Sequence, residues 1–222
     1  DPHDRTEVNP HVRVRERQEP ILLAGYRREW APGVHSLILA GRLTDTLMVN
    51  DPLLNTLDLA HDGAGNAIGV LPLTVEQRYR SELEIYSVEA QQLFQLERWT
   101  TIIGGRFQAG DFHTRNTNTT PFAASDAINP AQDFHTDFAR ISFYGYQHWQ
   151  VAEPLRLIAG LSYDRLTFPL NHRFAPISDR EETKDQISPK AGAILTLSPR
   201  TTLRAGYSQS LGGVSFDQSF RL

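Results

Sequence analysis

The chain has 222 residues and a formal net charge of -4, with 40% hydrophobic residues, 22% charged residues and a mean hydropathy of -0.39. No stretch approaches the ~18 uninterrupted apolar residues of a spanning helix, so a helical membrane protein is excluded; soluble β folds and membrane β-barrels, in which only alternate strand residues meet lipid, both stay open. The basic residues are scattered, which argues against a nucleic-acid surface, and the absence of cysteine removes disulfide frameworks and thiolate metal sites.

Asp1–Glu19 is charged, carries Pro2 and Pro10, and alternates only briefly at Val12 and Val14. Residues 1–19 read as a polar entry segment or external loop. From residue 20 the helical period fails and the strand period recurs. Ile21–Trp30 and Val34–Leu43 flank the turn Ala31-Pro32-Gly33, and Arg80–Gln95 and Trp99–Ala109 flank Leu96-Glu97-Arg98. Phe138–Gln150 and Leu155–Phe168 flank Val151-Ala152-Glu153-Pro154, and Ile187–Leu197 and Thr201–Leu211 flank Ser198-Pro199-Arg200. Connections this short, rich in Pro and Gly, are those of antiparallel hairpins. Between the pairs lie long polar stretches, Thr44–Tyr79, Gly110–Thr136 and Pro169–Gln186.

Short turns at one end of a meander and long loops at the other are the arrangement of an outer-membrane barrel. The fold class expected is therefore all-β: an antiparallel up-and-down meander forming a partial transmembrane β-barrel, with about eight strands over residues 20–211. Residues 212–222 read as the start of a loop, and both ends read as interior to a longer chain.

Alternation assigns the faces, because successive side chains of a strand point to opposite sides. Ile103, Phe107, Leu155, Leu157, Leu161, Tyr163, Leu203 and Tyr207 are expected to face lipid. Arg106, Arg156, Ser162, Asp164, Lys190 and Arg204 fall on the opposite parity and are expected to face the lumen, where charge is tolerated. Trp30, Trp99 and Trp149 each sit beside a short turn, where an interfacial aromatic girdle belongs.

The motifs that could carry chemistry are sparse. The eight histidines form no helical i, i+4 pair; His113 and His135, with Asp111, Asp133 and Asp137, come nearest to a cluster, and no metal site is assigned. Asp62-Gly63-Ala64-Gly65-Asn66 lacks the spaced acids of a calcium loop and reads as a glycine-rich turn. Gly104-Gly105 and Gly212-Gly213 lack the lysine of a phosphate loop. Asn118-Thr119-Thr120 matches a glycosylation acceptor only for a eukaryotic secretory protein. Ser142, His148 and Asp164 fall on neighbouring strands, but nothing local marks them as a triad. No catalytic residue or cofactor is expected.

From Ile187 onward the chain resembles the TonB-dependent receptors of the bacterial outer membrane. The residues that carry the resemblance are Ser188-Pro189-Lys190-Ala191-Gly192, the turn Ser198-Pro199-Arg200, and Leu203-Arg204-Ala205-Gly206-Tyr207-Ser208-Gln209-Ser210. The hairpin Tyr144–Asp164 is similar in style to the preceding strand pair. Leu211-Gly212-Gly213 stands where the family usually has Phe-Arg and a Pro. The resemblance implies the earlier part of a plugged barrel of ~22 strands, with a plug upstream and the remaining strands downstream. It further implies contact with outer-membrane lipid, a TonB-type energy-coupling partner, and energy-coupled uptake of a nutrient such as a metal chelate or carbohydrate. Two rivals stand beside it: another outer-membrane channel or adhesin barrel, and a soluble β-sandwich binding module, which would bury its apolar face between two sheets.

Overall fold

The computed structural model describes residues 10–19, 22–119, 131–170 and 177–211. Those residues form a single antiparallel sheet of nine strands: β1 (Arg13–Gln18), β2 (Leu22–Ala31), β3 (Val34–His61), β4 (Ala67–Gln95), β5 (Trp99–Thr119), β6 (Gln132–Ala152), β7 (Leu155–Pro169), β8 (Glu181–Ser198) and β9 (Thr201–Ser208). From β3 to β9 each strand pairs with its sequence neighbour, while β1 and β2 share the free side of β3. The sheet is an open meander rather than a closed ring, consistent with part of a barrel wall.

The four hairpin turns at the short end lie where the sequence puts them, three of them at a proline and the fourth at Leu96-Glu97-Arg98. Gly33 has φ 78°, and a Cβ there would lie 2.2 Å from the Gln95 carbonyl oxygen, so this turn admits only glycine. At the opposite end of β3 and β4, Asp62-Gly63-Ala64-Gly65-Asn66 closes the hairpin as a tight turn. The Asp62 carboxylate accepts bonds from the backbone N–H of Ala64 at 2.9 Å and of Asn66 at 2.8 Å. Nearby side-chain and backbone donors hold Asp62 below the ordinary carboxylate range, the Asn66 amide foremost.

The strands run further than their apolar alternation. Much of Thr44–Tyr79 extends β3 and β4 to 28 and 29 residues, and β5 continues through Gly110 to Thr119. β6 starts at Gln132 and β8 at Glu181, inside two other stretches that read as loops. In the β3–β4 extension apolar and polar residues are mixed on both faces, and in β5 Phe112 stands among polar residues, so the amphipathic signal disappears while backbone pairing continues. The polar entry segment likewise contributes β1, which pairs with β3 from Arg13↔Asn50 to Gln18↔Asp45. Residues 212–222 lie outside the described residues.

Register divides the side chains into two faces. Between the short turns and the long end, one face of β4 to β8 carries no formal charge. It reads Phe94, Gln92, Ala90, Val88, Tyr86 on β4 and Trp99, Thr101, Ile103, Gly105, Phe107, Ala109 on β5. Trp149, Gln147, Gly145, Phe143, Ile141 and Ala139 follow on β6. Leu155, Leu157, Ala159, Leu161 and Tyr163 continue it on β7, and Leu195, Ala193, Ala191, Pro189 and Ile187 on β8. The next residue on this face is charged in every case: Glu84, Asp111, Asp137, Arg165 and Asp185. The uncharged stretch of each strand is thus ~9–11 residues, the length that crosses a bilayer at a tilt.

The other face holds nearly all the buried side chains of the strands. Leu83, Ile85, Phe112, Phe138 and Leu166 form an apolar cluster there, with Phe168 and Leu211 packed against it. Ser81, Thr114, Asn116, Thr136, Ser142, Ser162, Asp164 and Ser188 are buried on the same side. By contrast Ile103 is 55% exposed, Phe143 60% and Leu161 54%. A solvent-facing protein does not leave so continuous an apolar face uncovered, and among the described residues no second layer covers it.

Candidate functional site

A belt of polar and charged side chains crosses the crowded face at the height of the uncharged band on the other. Its central row follows the register Glu89↔Arg106↔Ser142↔Asp164↔Gln186 over five strands. Arg106 Nε donates to Glu89 at 2.7 Å, and the Tyr144 hydroxyl donates to the other Glu89 oxygen at 2.5 Å. Asp164, buried on β7, accepts from Arg140 Nη2 at 2.7 Å, Arg140 Nε at 3.1 Å and Ser142 Oγ at 2.5 Å. A buried carboxylate needs this set of donors, because desolvation without partners costs several kcal/mol per ion.

Two glycines shape the belt. Tyr144 lies across its register partner Gly104, and Tyr146 across Gly160. A Cβ on Gly104 would come within 2.6 Å of the Tyr144 ring, and one on Gly160 within 2.5 Å of the Tyr146 ring. The missing side chains let both rings lie along the sheet, which aims their hydroxyls at neighbours. Tyr144 thereby reaches Glu89, and Tyr146 accepts a bond from Lys190 Nζ at 2.7 Å. Cations outnumber carboxylates in the belt: Arg106 and Arg140 have carboxylate partners, while Lys190 rests on a phenol and Arg156 on the Gln150 amide oxygen at 3.0 Å.

All six residues read from sequence as lumen-facing, Arg106, Arg156, Ser162, Asp164, Lys190 and Arg204, lie on this face. Ile103, Phe107, Leu155, Leu157, Leu161, Tyr163, Leu203 and Tyr207 lie together on the uncharged face. Trp99 and Trp149 are register partners on that face and stack at 5.0 Å with planes 12° apart. Trp30, beside its own turn, donates to Ser36 at 2.8 Å, with the Arg28 guanidinium 3.8 Å over its ring. Sequence reading passed over Glu89, Arg140, Tyr144 and Tyr146, although the parity of Arg106 and Lys190 across adjacent strands leads directly to them. It also passed over the apolar cluster: Phe112 lies in a stretch read as loop, and Leu83, Phe138 and Leu166 lie near the ends of expected strands.

The triad candidates do not converge. Ser142 donates to Asp164, but His148 lies six residues along β6, roughly 20 Å away at ~3.3 Å per residue, and opposes Thr100 and Ile158. The histidine cluster fares differently. His113 and His135 are register partners with rings stacked at 3.8 Å, and His113 Nε2 lies 2.6 Å from the Asp133 carboxylate. Asp111 and Asp137 oppose each other one row nearer the uncharged band, outside that cluster.

Residues 22–221 match the family described as TonB dependent receptor-like, beta-barrel. Among solved structures, a chain described as the copper transporter OprC superposes with a TM-score of 0.63 at 12% sequence identity. The alignment covers 90% of this chain and 31% of that one, so this chain spans about a third of the length of its structural neighbour. No curated protein matches it in sequence.

Proposed function

The chain belongs to the TonB-dependent receptor family, and we propose that it forms one part of the wall of an outer-membrane receptor that takes up a scarce nutrient with energy from a TonB-type partner. In this reading the uncharged face meets outer-membrane lipid, and the polar belt faces a lumen shared with a plug and the remaining strands of the parent protein. Trp30, Trp99 and Trp149 form the girdle beside the short periplasmic turns. The long strand extensions stand outside the cell.

The observation that carries the proposal is the segregation of charge. Over five successive strands the uncharged face keeps formal charge out of a stretch of bilayer length, while Glu89, Arg106, Arg140, Arg156, Asp164 and Lys190 occupy the other face of the same stretch. Arg or Lys at the midplane on the lipid side costs ~2–4 kcal/mol, whereas lumen charges tune selectivity. The belt's excess of cations suits contact with acidic plug residues or an anionic solute, such as a metal chelate or an acidic carbohydrate.

Two substitutions in the full-length protein test the faces. Leu157→Arg is expected to lower the amount of folded barrel in the outer membrane severalfold, and Arg156→Leu to leave it near wild type. Equal losses for both would overturn the assignment of lipid and lumen. Uptake is tested separately: binding of the nutrient by cells should survive deletion of the energy-coupling protein, and its accumulation should stop.

A further inference from the structure

Beyond the charged border, on the face that carries the uncharged band, β5 and β6 bring together two imidazoles and a carboxylate. The ligating atoms of His113, Asp133 and His135 all lie within 4.8 Å of one another. We propose that these three side chains bind a divalent transition-metal ion, of the class served by imidazole with a carboxylate: Cu2+, Zn2+ or Ni2+.

The geometry arises from the sheet. His113 and His135 are direct register partners, and Asp133 precedes His135 by two residues, so all three project from one face. The ladder holds their backbones in place, and only side-chain rotation separates the present arrangement from a chelate. Metal–nitrogen bonds of ~2.0–2.1 Å in a tetrahedral shell need ligand atoms ~3.3 Å apart. Asp133 and His113 stand at hydrogen-bond distance, 2.6 Å, so an ion would replace the shared proton and part them slightly, while the His135 ring turns to face it. Glu82, the register partner of His113 on β4, has a carboxylate oxygen 3.8 Å from His113 Nδ1, the nitrogen turned away from Asp133, and can orient the ring as an outer partner.

Arg115 is the competitor. Its Nε lies 3.0 Å from His113 Nε2, its Nη2 lies 3.2 Å from Nδ1, and it also sits 3.5 Å from Asp133. It occupies the same lone pairs a metal would take, and as a cation it repels one. The Arg115 side chain is 49% exposed and can swing into water when an ion enters. The site is separate from the polar belt, because it lies on the opposite face. A bound ion would staple β5 to β6 beyond the band.

The test uses the full-length receptor in detergent micelles, without a histidine tag and washed with chelator, titrated with Cu2+ and followed by electron paramagnetic resonance. The expected result is a copper signal split by two imidazole nitrogens, absent from His113→Ala and His135→Ala, with affinity weakened at least about tenfold. Arg115→Gln should strengthen binding a few-fold. Folding of each variant is checked by its heat-modifiable mobility, and His135→Gln replaces His135→Ala if the latter does not assemble. A two-nitrogen copper signal that persists in folded His135 variants, its absence from the wild-type receptor, or an unchanged or weaker site in Arg115→Gln would overturn the proposal.

Discussion

Tyr144 illustrates how a single residue position is decided. Its ring occupies the space a side chain on Gly104 would take, and its hydroxyl completes the coordination of Glu89 alongside Arg106. Gly104→Val is expected to push the ring off the sheet and destabilise the folded receptor by about 1–3 kcal/mol, the usual cost of overpacking. Tyr144→Phe keeps the ring and loses only the hydrogen bond to a charged acceptor, about 1.5–3 kcal/mol. Urea midpoints of the refolded full-length protein measure both. If Gly104→Val is neutral, the ring does not depend on the missing side chain. Arg140 and Asp164 belong to the same belt, with side chains 27% and 7% exposed. A double-mutant cycle to Ala should return a favourable coupling of about 1–3 kcal/mol; a value near zero would mean that solvent screens the pair.

At the scale of an element, the β3–β4 hairpin is the clearest case. Its far half mixes apolar residues, Leu57, Ile68, Val70 and Leu71 among them, with polar ones and projects beyond the band, ending in the turn held by Asp62. Asp62 is held below its ordinary value of 3.8 by hydrogen bonds to the charged form, the Asn66 side chain first. A depressed carboxylate contributes stability that is present above the unfolded value and is lost as pH falls through the folded one. The expected outcome is that amide exchange at Ala64 and Asn66 quickens, relative to the rest of the hairpin, only below about pH 4. Asp62→Ala should show the faster exchange at every pH. Pairing elsewhere in the hairpin should be unaffected, since its ladder does not pass through the turn.

For the whole molecule, the open sheet matters most. Among the described residues β9 pairs only with β8, which leaves its other edge open beside an apolar face, a combination that templates association. Residues 1–222 produced alone in aqueous buffer are therefore expected to aggregate, and detergent should disperse them without restoring a closed barrel. Analytical ultracentrifugation distinguishes this from a monodisperse water-soluble monomer, which is what a β-sandwich predicts. The family match and the superposition on a transporter agree with the barrel reading, and the sheet has no second layer among its described residues.

The sequence by itself determined the all-β meander, the positions of the short turns and the parity of Ile103, Arg106, Arg156 and Leu157, because a bilayer-length stretch with one dry face imposes period two on the residues. It carried no such signal beyond Tyr86, Ala109 and Ala139, where Glu84, Asp111 and Asp137 end the uncharged row on one face while Leu83, Phe112 and Phe138 make the other apolar. There the backbone ladder continues regardless of side-chain type, so only the tertiary structure could turn expected loops into strands. Only register, a property of pairs of strands, could set Tyr144 over Gly104 and Trp99 against Trp149. The same register sets His113 directly against His135, which in the sequence only bracket the stretch between β5 and β6.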